Sequence, residues 1–408
     1  MEGSNLSQLE EKINYYQGAN KAEKPLSEVQ KTIAQAMQME NLSILMGAGC
    51  SSFLINKEGA AVKEEAAIST MAGLFKAFIE QHQDFKILDV SIEDKVNQNL
   101  EELMDFMNAL RQVNHIKEID EEIDNKINIV KEFITDKITQ GMNCSELSEI
   151  YKKFYLKTIS SSRKSPINIV TTNYDMYNER ALDELNFIYN NGFTGSYRRT
   201  FNPNIYKYMY VDNMNLNKDI WNRVDHFYNL YKIHGSISWK KSGNDIYEVS
   251  MNEIDKSSLE NVMIYPTPLK DRSTLMVPYT DLMRSFQDNL TQKNSVLITL
   301  GYSFGDDHIN RIILNNLSIP SFRLIILGET DYINGDSEEI ETNIGKIRNM
   351  DDSRITIINS SNKIHYFKNF VEKLMPAIPS EEQEKQKISD QISKVFSDLS
   401  ESGGNNNG

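Results

Sequence analysis

The chain has 408 residues, of which 39% are hydrophobic and 25% charged, and its formal net charge is −14. This composition is typical of a soluble protein with a substantial core, and the acidic balance argues against a basic nucleic-acid groove as its main surface. Two cysteines, Cys50 and Cys144, are too few for a cysteine-rich zinc site or a disulfide framework, which favours a reducing, cytoplasmic location.

The N-terminus, Met1-Glu-Gly-Ser-Asn, carries no signal-peptide pattern, and no apolar run in the chain approaches the roughly 20 residues that span a bilayer. Residues 6–40 are polar and helix-prone, with apolar residues at helical spacing towards their end. They predict a helix packed on the edge of a sheet.

The stretch NLSILMGAGCSS at 41–52 predicts a short buried strand, Leu42 to Met46, that ends in a Gly-x-Gly turn and leads into a helix. Such a turn brings the backbone close to a ligand, and a helix start offers free N–H groups to an anion. Ser52 occupies the third glycine position of the dinucleotide fingerprint, so the match is partial. The stretch fits a nucleotide-binding turn or an ordinary strand-to-helix turn.

Residues 60–160 predict a helical block, because apolar residues recur at intervals of three and four. The block either covers a nucleotide cleft and makes subunit contacts or only adds core helices. Its two apolar stripes are Ile92, Val96, Leu100, Leu103, Met107 and Leu110, and Ile116, Ile119, Ile123, Ile127, Val130 and Ile134.

Strand signals return at 166–175, where an apolar run ends in small polar residues and a helix is predicted from about 176 to 185. In an open parallel sheet, ligands bind at the carboxyl ends of strands. The sequence therefore predicts site residues here, with Asp175 as a helix N-cap that is also free to act in the site. The candidate residues are Thr171, Thr172, Asn173 and Asp175.

A long irregular segment is predicted for 186–230, followed by a short strand that delivers His234 to a glycine. A loop of this length in a compact domain is more often functional than idle. His234 is a candidate general base because an unperturbed histidine has a pKa near neutrality, although a lone histidine is usually structural. Four basic residues suggest a local basic patch or solvated loop charge: Arg198, Arg199, Lys240 and Lys241.

The remaining elements complete an α/β pattern after a turn-rich connection at 262–278. A buried strand ends at Gly301, Ser303 and Gly305, and Asp306 or Asp307 is predicted to cap the next helix. Alternating strands and helices predict a Rossmann-like, doubly wound parallel sheet with a large helical insertion. The predicted domain covers 1–378, with a C-terminal helix and disordered tail at 379–408. The last two predicted strands are 322–328 and 354–358.

Four short motifs in this order resemble the sirtuin signature: GAGCS at 47–51, TTNYD at 171–175, HG at 234–235 and GYS at 301–303. The usual forms are GAGxS, TQNxD, HG and GTS, and the resemblance spans residues 40–370. The GYSFGDDHI form and the helical block are more similar to the sirtuin-like proteins of bacterial anti-phage defence than to deacetylases. Thr172 departs from the motif, which has Gln there, and the four-cysteine zinc ribbon of protein deacetylases is missing.

The resemblance implies an NAD+ hydrolase that cleaves the nicotinamide–ribose bond, with NAD as substrate and no zinc. Asn173 would position the nicotinamide ribose or the attacking water, Asp175 would orient the nicotinamide side, and His234 would be the base. Backbone N–H groups of the first motif would hold the pyrophosphate, and the last motif would hold the adenosine half. The NAD-binding residues so implied are Gly47, Ala48, Gly49, Ser51, Thr172, Gly235, Gly301 and Ser303.

The resemblance also implies an effector that depletes NAD+ on infection and works with a HerA-type hexameric ATPase. It leaves open an NAD-dependent protein deacylase and a non-hydrolytic nucleotide sensor that serves as a scaffold for a partner. A homo-oligomer is expected, because Ile388, Ile392 and Leu399 belong to an apolar stripe outside the predicted core. We expect no membrane contact, and nucleic acid at most through the partner. Cys50, at a predicted helix start, is a candidate activated thiolate.

Overall fold

The computed structural model describes residues 12–52, 67–87, 90–91, 100–114, 117–159, 163, 165–211, 224, 227–243, 245–254, 261–263, 277–333 and 338–378. The predicted C-terminal helix and tail at 379–408 lie outside the described residues, as does most of the connection at 262–278. None of the described helices is both long enough and apolar enough to cross a membrane.

The strands are, in chain order, β1 (Lys12–Gln17), β2 (Asn20–Pro25), β3 (Asn41–Met46), β4 (Lys86–Ile87), β5 (Val90–Ser91), β6 (Ile167–Thr171), β7 (Ile188–Asn190), β8 (Phe193–Thr194), β9 (Arg199–Phe201), β10 (Phe227–Lys232), β11 (Gly235–Ser242), β12 (Asp245–Glu248), β13 (Asn261–Met263), β14 (Ser295–Leu300), β15 (Arg323–Leu327), β16 (Asp331–Ile333), β17 (Glu339–Glu341) and β18 (Ile355–Asn359).

The helices are α1 (Leu26–Met37), α2 (Met71–Gln81), α3 (Leu100–Asn114), α4 (Lys117–Gly141), α5 (Ser145–Lys157), α6 (Tyr177–Glu184), α7 (Tyr279–Leu290), α8 (Asp307–Asn315), α9 (Asn343–Arg348) and α10 (Phe367–Asn369), which continues as a π-helical segment, Phe370–Leu374. Short 3-10 turns are Ala48–Ser51, Pro203–Lys207, Met251–Glu253 and Asn316–Ser318.

Nine strands form the large sheet, in the order β2-β1-β18-β15-β14-β3-β6-β10-β7. The seven strands from β18 to β7 are mutually parallel. Successive residues of β3 face two cores, with Ile44 in one and Leu45 in the other, so both sheet faces are covered. The predicted doubly wound, Rossmann-like parallel sheet is confirmed.

The predicted helix over 6–40 is wrong for the described residues 12–25, which form the hairpin of β1 and β2. The hairpin adds two antiparallel strands to the sheet through β18, whose Asn359 pairs with Asn14. That partner lies far along the chain, so local sequence carries no signal for it. The helix itself begins only at Leu26.

The predicted irregular segment at 186–230 contains the short strands β7, β8 and β9 and the start of β10. Strands β8 and β9 belong to a second, five-stranded sheet in the order β13-β11-β12-β9-β8. The Phe193 ring packs against Phe201 and Trp239, so this sheet has an aromatic core. Of the four basic residues considered as a patch, Arg199 is paired with Glu248 at 2.8 Å and Arg198 lies over the Tyr247 ring.

Helices α2 to α5 form the predicted helical block. Its described apolar stripes face the protein's own core, because Leu103, Met107, Ile123 and Ile134 are fully buried within the single chain. These stripes therefore pack within the domain. Ile92, Val96 and Ile116 lie outside the described residues.

Candidate functional site

The carboxyl ends of β3, β6, β10 and β14 bring the four sequence motifs to one edge of the large sheet. From β3, the chain adds β6, β7 and β10 on one side and then β14, β15 and β18 on the other. The crevice beside such a reversal of strand order is where open α/β sheets bind ligands. The topology thus places the motif residues at the expected ligand-binding edge.

The turn after β3 packs backbone to backbone against the loop after β14. The N–H groups of Gly47 and Gly49 donate to the carbonyls of Leu300 and Gly301, each at 2.9 Å. A Cβ at Gly47 would lie 2.5 Å from the Gly301 oxygen, and one at Gly49 would lie 2.7 Å from the Gly301 Cα. Gly301 has a φ of +59°, in the left-handed region that favours glycine.

This packing changes the predicted role of the first motif. The N–H groups of Gly47 and Gly49 already have carbonyl partners within the protein, so these glycines shape the turn rather than present unpartnered donors to a pyrophosphate. Ala48 and Ser51 line the cavity described below, and Gly49 lines its neighbour.

Asn173, Ser51 and Asp175 form a hydrogen-bonded chain between two loops. The Asn173 Nδ2 donates to the Gly47 carbonyl at 3.0 Å and to the Ser51 Oγ at 2.9 Å. The Ser51 hydroxyl in turn donates to the Asp175 Oδ2 at 2.6 Å. All three side chains are buried. Because both amide hydrogens of Asn173 are used, its Oδ1 is the atom left to accept a hydrogen bond.

Asp175 is not the N-cap that the sequence predicts. Met176 holds the cap position of α6, without a side-chain cap bond. The Asp175 Oδ1 accepts the N–H of Tyr177 at 3.2 Å, while its Oδ2 is engaged by Ser51. Two hydrogen-bond donors therefore hold the Asp175 carboxylate in place at the candidate site.

A buried ion pair contacts the loop that carries Asp175. The Lys232 Nζ, at the end of β10, lies 3.0 Å from the Glu179 Oε1 and also donates to the Asp175 carbonyl. The side chains of Lys232 and Glu179 are 1% and 4% exposed. Burial raises the pKa of Glu179, and the Lys232 charge opposes that rise.

His234 lies in the tight turn between β10 and β11, where Gly235 has a φ of +92°. Its Nε2 is 3.0 Å from the Asp306 Oδ2. The Asp306 Oδ1 accepts the N–H groups of His308 and Ile309, so Asp306, one of the two predicted candidates, is the N-cap of α8. The structure thus pairs the predicted base with a buried carboxylate from the neighbouring loop.

These groups surround a cavity of about 320 Å³. The helical block forms its opposite wall through Thr70, Met71, Leu74 and Ile138, and so covers part of the crevice. Gly47 and Gly235 do not line the cavity. They contribute the backbone conformation of the two turns beside it. The predicted site residues that line it are Ala48, Ser51, Thr172, Asn173, Asp175, His234, Gly301 and Ser303.

A second cavity, of about 460 Å³, lies beside the first and shares Gly301, Tyr302 and Ser303 with it. Glu329, just after β15, lies 3.5 Å from the His365 Nε2 in its wall. Burial lowers the pKa of His365 to about 4 and raises that of Glu329. The buried Nδ1 of His365 has no hydrogen-bond partner among the described residues, so a polar ligand would complete this wall.

Cys50 is a poor nucleophile in this arrangement, contrary to the alternative raised by its place in the sequence. The thiol is buried and donates to the Leu300 carbonyl at 3.2 Å. Burial and the neighbouring Asp175 raise its pKa well above the usual value, so the reactive thiolate is disfavoured. Among the described residues, no cluster of three or more His, Cys, Asp or Glu side chains could hold a metal ion.

For two residues of the site, the sequence did not predict the position that they take in the structure. Asp306 was identified only as a helix cap, and Glu329 only as a residue that follows a strand. The carboxylate that binds ribose in dinucleotide folds lies about 20 residues after the glycine-rich turn, so that signal does not point to Glu329, which follows β15. For the pairing of Asp306 with His234, the sequence offers no signal either.

Residues 167–334 match a family model described as the SIR2-like domain. The match begins at the first residue of β6 and includes Asn173, His234 and Gly301, while the turn at 47–51 precedes it. It supports a sirtuin-like family, implies NAD binding and suggests an enzyme that uses NAD. No curated protein matches the chain significantly.

Proposed function

We propose that the protein is an NAD+ glycohydrolase that converts NAD+ and water into nicotinamide, ADP-ribose and a proton. One observation carries the proposal: Asn173, Asp175 and the His234–Asp306 pair converge on a cavity that shares the lining residues Gly301–Ser303 with a second cavity. Two adjacent cavities suit a dinucleotide, and each has the size of a small-molecule site.

The second cavity suits the adenosine half of NAD. Glu329 lines this cavity, and its carboxylate would accept a hydrogen bond from a ribose hydroxyl, as a carboxylate does in other dinucleotide sites. The loop Gly301–Ser303 lies between the cavities, where the pyrophosphate would pass. The nicotinamide ribose then reaches the first cavity, beside Asn173 and His234.

The reaction breaks the bond between the ribose C1′ and the nicotinamide nitrogen. The nitrogen takes both bonding electrons, so nicotinamide leaves as a neutral molecule and positive charge develops on the ribose. The fixed Asp175 carboxylate and the Asn173 Oδ1 supply a preorganised polar environment for that charge and for the attacking water. Water forms the new C1′–O bond, and His234 takes its proton.

Purified wild-type protein is expected to consume NAD+ and to release nicotinamide and ADP-ribose in equal amounts, measured by mass spectrometry. His234→Ala should lower turnover by about 10²–10⁴-fold, because the general base is lost. The assay is run with the chain alone and with any co-purifying ATPase. Acyl-ADP-ribose formed from an acylated peptide would support the deacylase alternative, and tight NAD binding without turnover would support the sensor.

The role that we propose for this activity is NAD+ depletion during phage infection, in partnership with a HerA-type hexameric ATPase. Support comes from the GYSFGDDHI form at 301–309 and the helical block, which resemble sirtuin-like defence proteins. A cytoplasmic location fits this role. An activity that depletes NAD+ requires control, which subunit contacts or a partner would supply.

We also propose a homo-oligomer, formed in part through the apolar stripe at 388–399. Removal of residues 380–408 should lower the mass per particle in light scattering, because exposed apolar stripes commonly mark contacts between chains. Removal of 403–408 alone is the control, since it spares the stripe. A full-length chain that is monomeric at micromolar concentration would refute the proposal.

A further inference from the structure

We propose that Asp306 is a positioning residue that holds the neutral His234 ring in the tautomer with its proton on Nε2. The inference deepens the proposed function and rests on it for the catalytic consequence alone. Neither the four sequence motifs nor the role of Asp306 as a helix cap assigns this task.

The contact itself supports the assignment. The His234 Nε2 and the Asp306 Oδ2 are 3.0 Å apart, and the two side chains are 8% and 7% exposed. An ionised carboxylate has no hydrogen to donate, so the hydrogen in this bond belongs to the imidazole nitrogen. In a neutral ring, the bond therefore selects the tautomer and sets the ring orientation.

The carboxylate is itself held in place by α8. Its Oδ1 accepts the N–H groups of His308 at 3.0 Å and Ile309 at 3.4 Å, which leaves Oδ2 directed to His234. The Tyr302 hydroxyl also donates to the Asp306 backbone carbonyl at 3.4 Å. Because Gly301–Ser303 borders both cavities, the loop that shapes them ends in the carboxylate that orients the base.

Asp306→Asn tests the assignment with little risk to the fold, because asparagine caps helices about as well as aspartate. Its Oδ1 can keep the two cap bonds, while its Nδ2 would face His234 as a donor. The imidazole must then accept at Nε2 and carry its proton on Nδ1. Asp307→Asn is the matched control, because this exposed neighbour opens the same helix and the substitution removes the same charge.

The first measurement is nitrogen-15 NMR of histidine-labelled protein without NAD, at a pH where the ring is neutral. The chain has six histidines, and the His234 signals are those lost in His234→Gln. Wild type and Asp307→Asn should carry the proton on Nε2, and Asp306→Asn should carry it on Nδ1. Identical His234 signals in wild type and Asp306→Asn would overturn the assignment.

The second measurement is turnover of NAD+. Asp306→Asn should lower kcat by about 10²–10⁴-fold, the range for a misplaced general base, with KM little changed. Asp307→Asn should match the wild type. Inversion of the tautomer with unchanged kcat would overturn the positioning role. If the wild type cleaves no NAD+ while Asp306→Asn still inverts the tautomer, the proposed hydrolase fails and the structural pairing stands.

Discussion

Asn173→Ala is expected to lower kcat for NAD+ cleavage by about 10²–10³-fold, the loss that follows removal of one preorganised polar group. In the native chain the Asn173 amide donates to the Gly47 carbonyl and the Ser51 hydroxyl, which fixes its Oδ1 as an acceptor at the cavity. Alanine removes that acceptor and also takes one partner from Ser51. The fold should survive, because the loss of buried hydrogen bonds costs only about 1–3 kcal/mol.

Asn168→Ala provides a matched control for this variant. Asn168 and Asn173 are 7% and 8% exposed, and Asn168 lies in β6 with its side chain accepting from Asn229 at 3.1 Å. The same substitution there should cost similar stability and leave turnover intact, because Asn168 does not line either cavity. Turnover by Asn173→Ala near that of Asn168→Ala would remove Asn173 from the mechanism.

Lys232→Met is expected to lower the free energy of unfolding by about 3–5 kcal/mol, because it leaves a buried charge uncompensated. Glu179 would lose the ammonium group 3.0 Å away, and the Asp175 carbonyl would lose its donor. Burial already raises the pKa of Glu179, and loss of Lys232 raises it further. A carboxyl whose pKa is higher in the folded state is more strongly protonated there, so this destabilisation should fade as pH falls below its folded-state pKa.

Urea unfolding, repeated at a series of pH values from neutral downwards, measures this effect as the loss or retention of the difference from the wild type. Lys12→Met is the control, because Lys12 and Glu23 are also 3.0 Å apart but 77% and 54% exposed. An exposed pair of this kind contributes less than about 1 kcal/mol. The double variant Lys232→Met, Glu179→Gln should regain much of the loss. Equal urea midpoints for Lys232→Met and Lys12→Met would contradict the expectation.

The elements predicted correctly are those with a strong local pattern. The run Leu42–Met46 and the run at 295–300 are mainly apolar segments followed by glycine, and both are fully buried parallel strands. The same pattern placed Asn173 and His234 at strand ends. The large sheet and its ligand-binding edge could therefore be inferred from residues that are close together in the chain.

The features that the sequence did not predict depend on distant partners. The β1–β2 hairpin is a polar segment whose place is set by β18. His234 and Asp306 are 72 positions apart, and no periodicity links a histidine in one turn to a helix cap in another. The Gly47 and Gly49 N–H groups donate to the carbonyls of Leu300 and Gly301, and these contacts likewise become visible only when β3 and β14 are paired.

The pairing of β3 with β14 also sets the time at which the candidate site can first form during synthesis. Cys50 and Leu300, which meet in this pairing, are 250 positions apart. At ribosomal rates of about 5–20 residues per second, the turn after β3 is synthesised roughly 10–50 s before its partner strand. A nascent chain that ends between residues 235 and 299 already contains Asn173 and His234. It lacks both the backbone that supports the Gly47 turn and the carboxylate that faces His234.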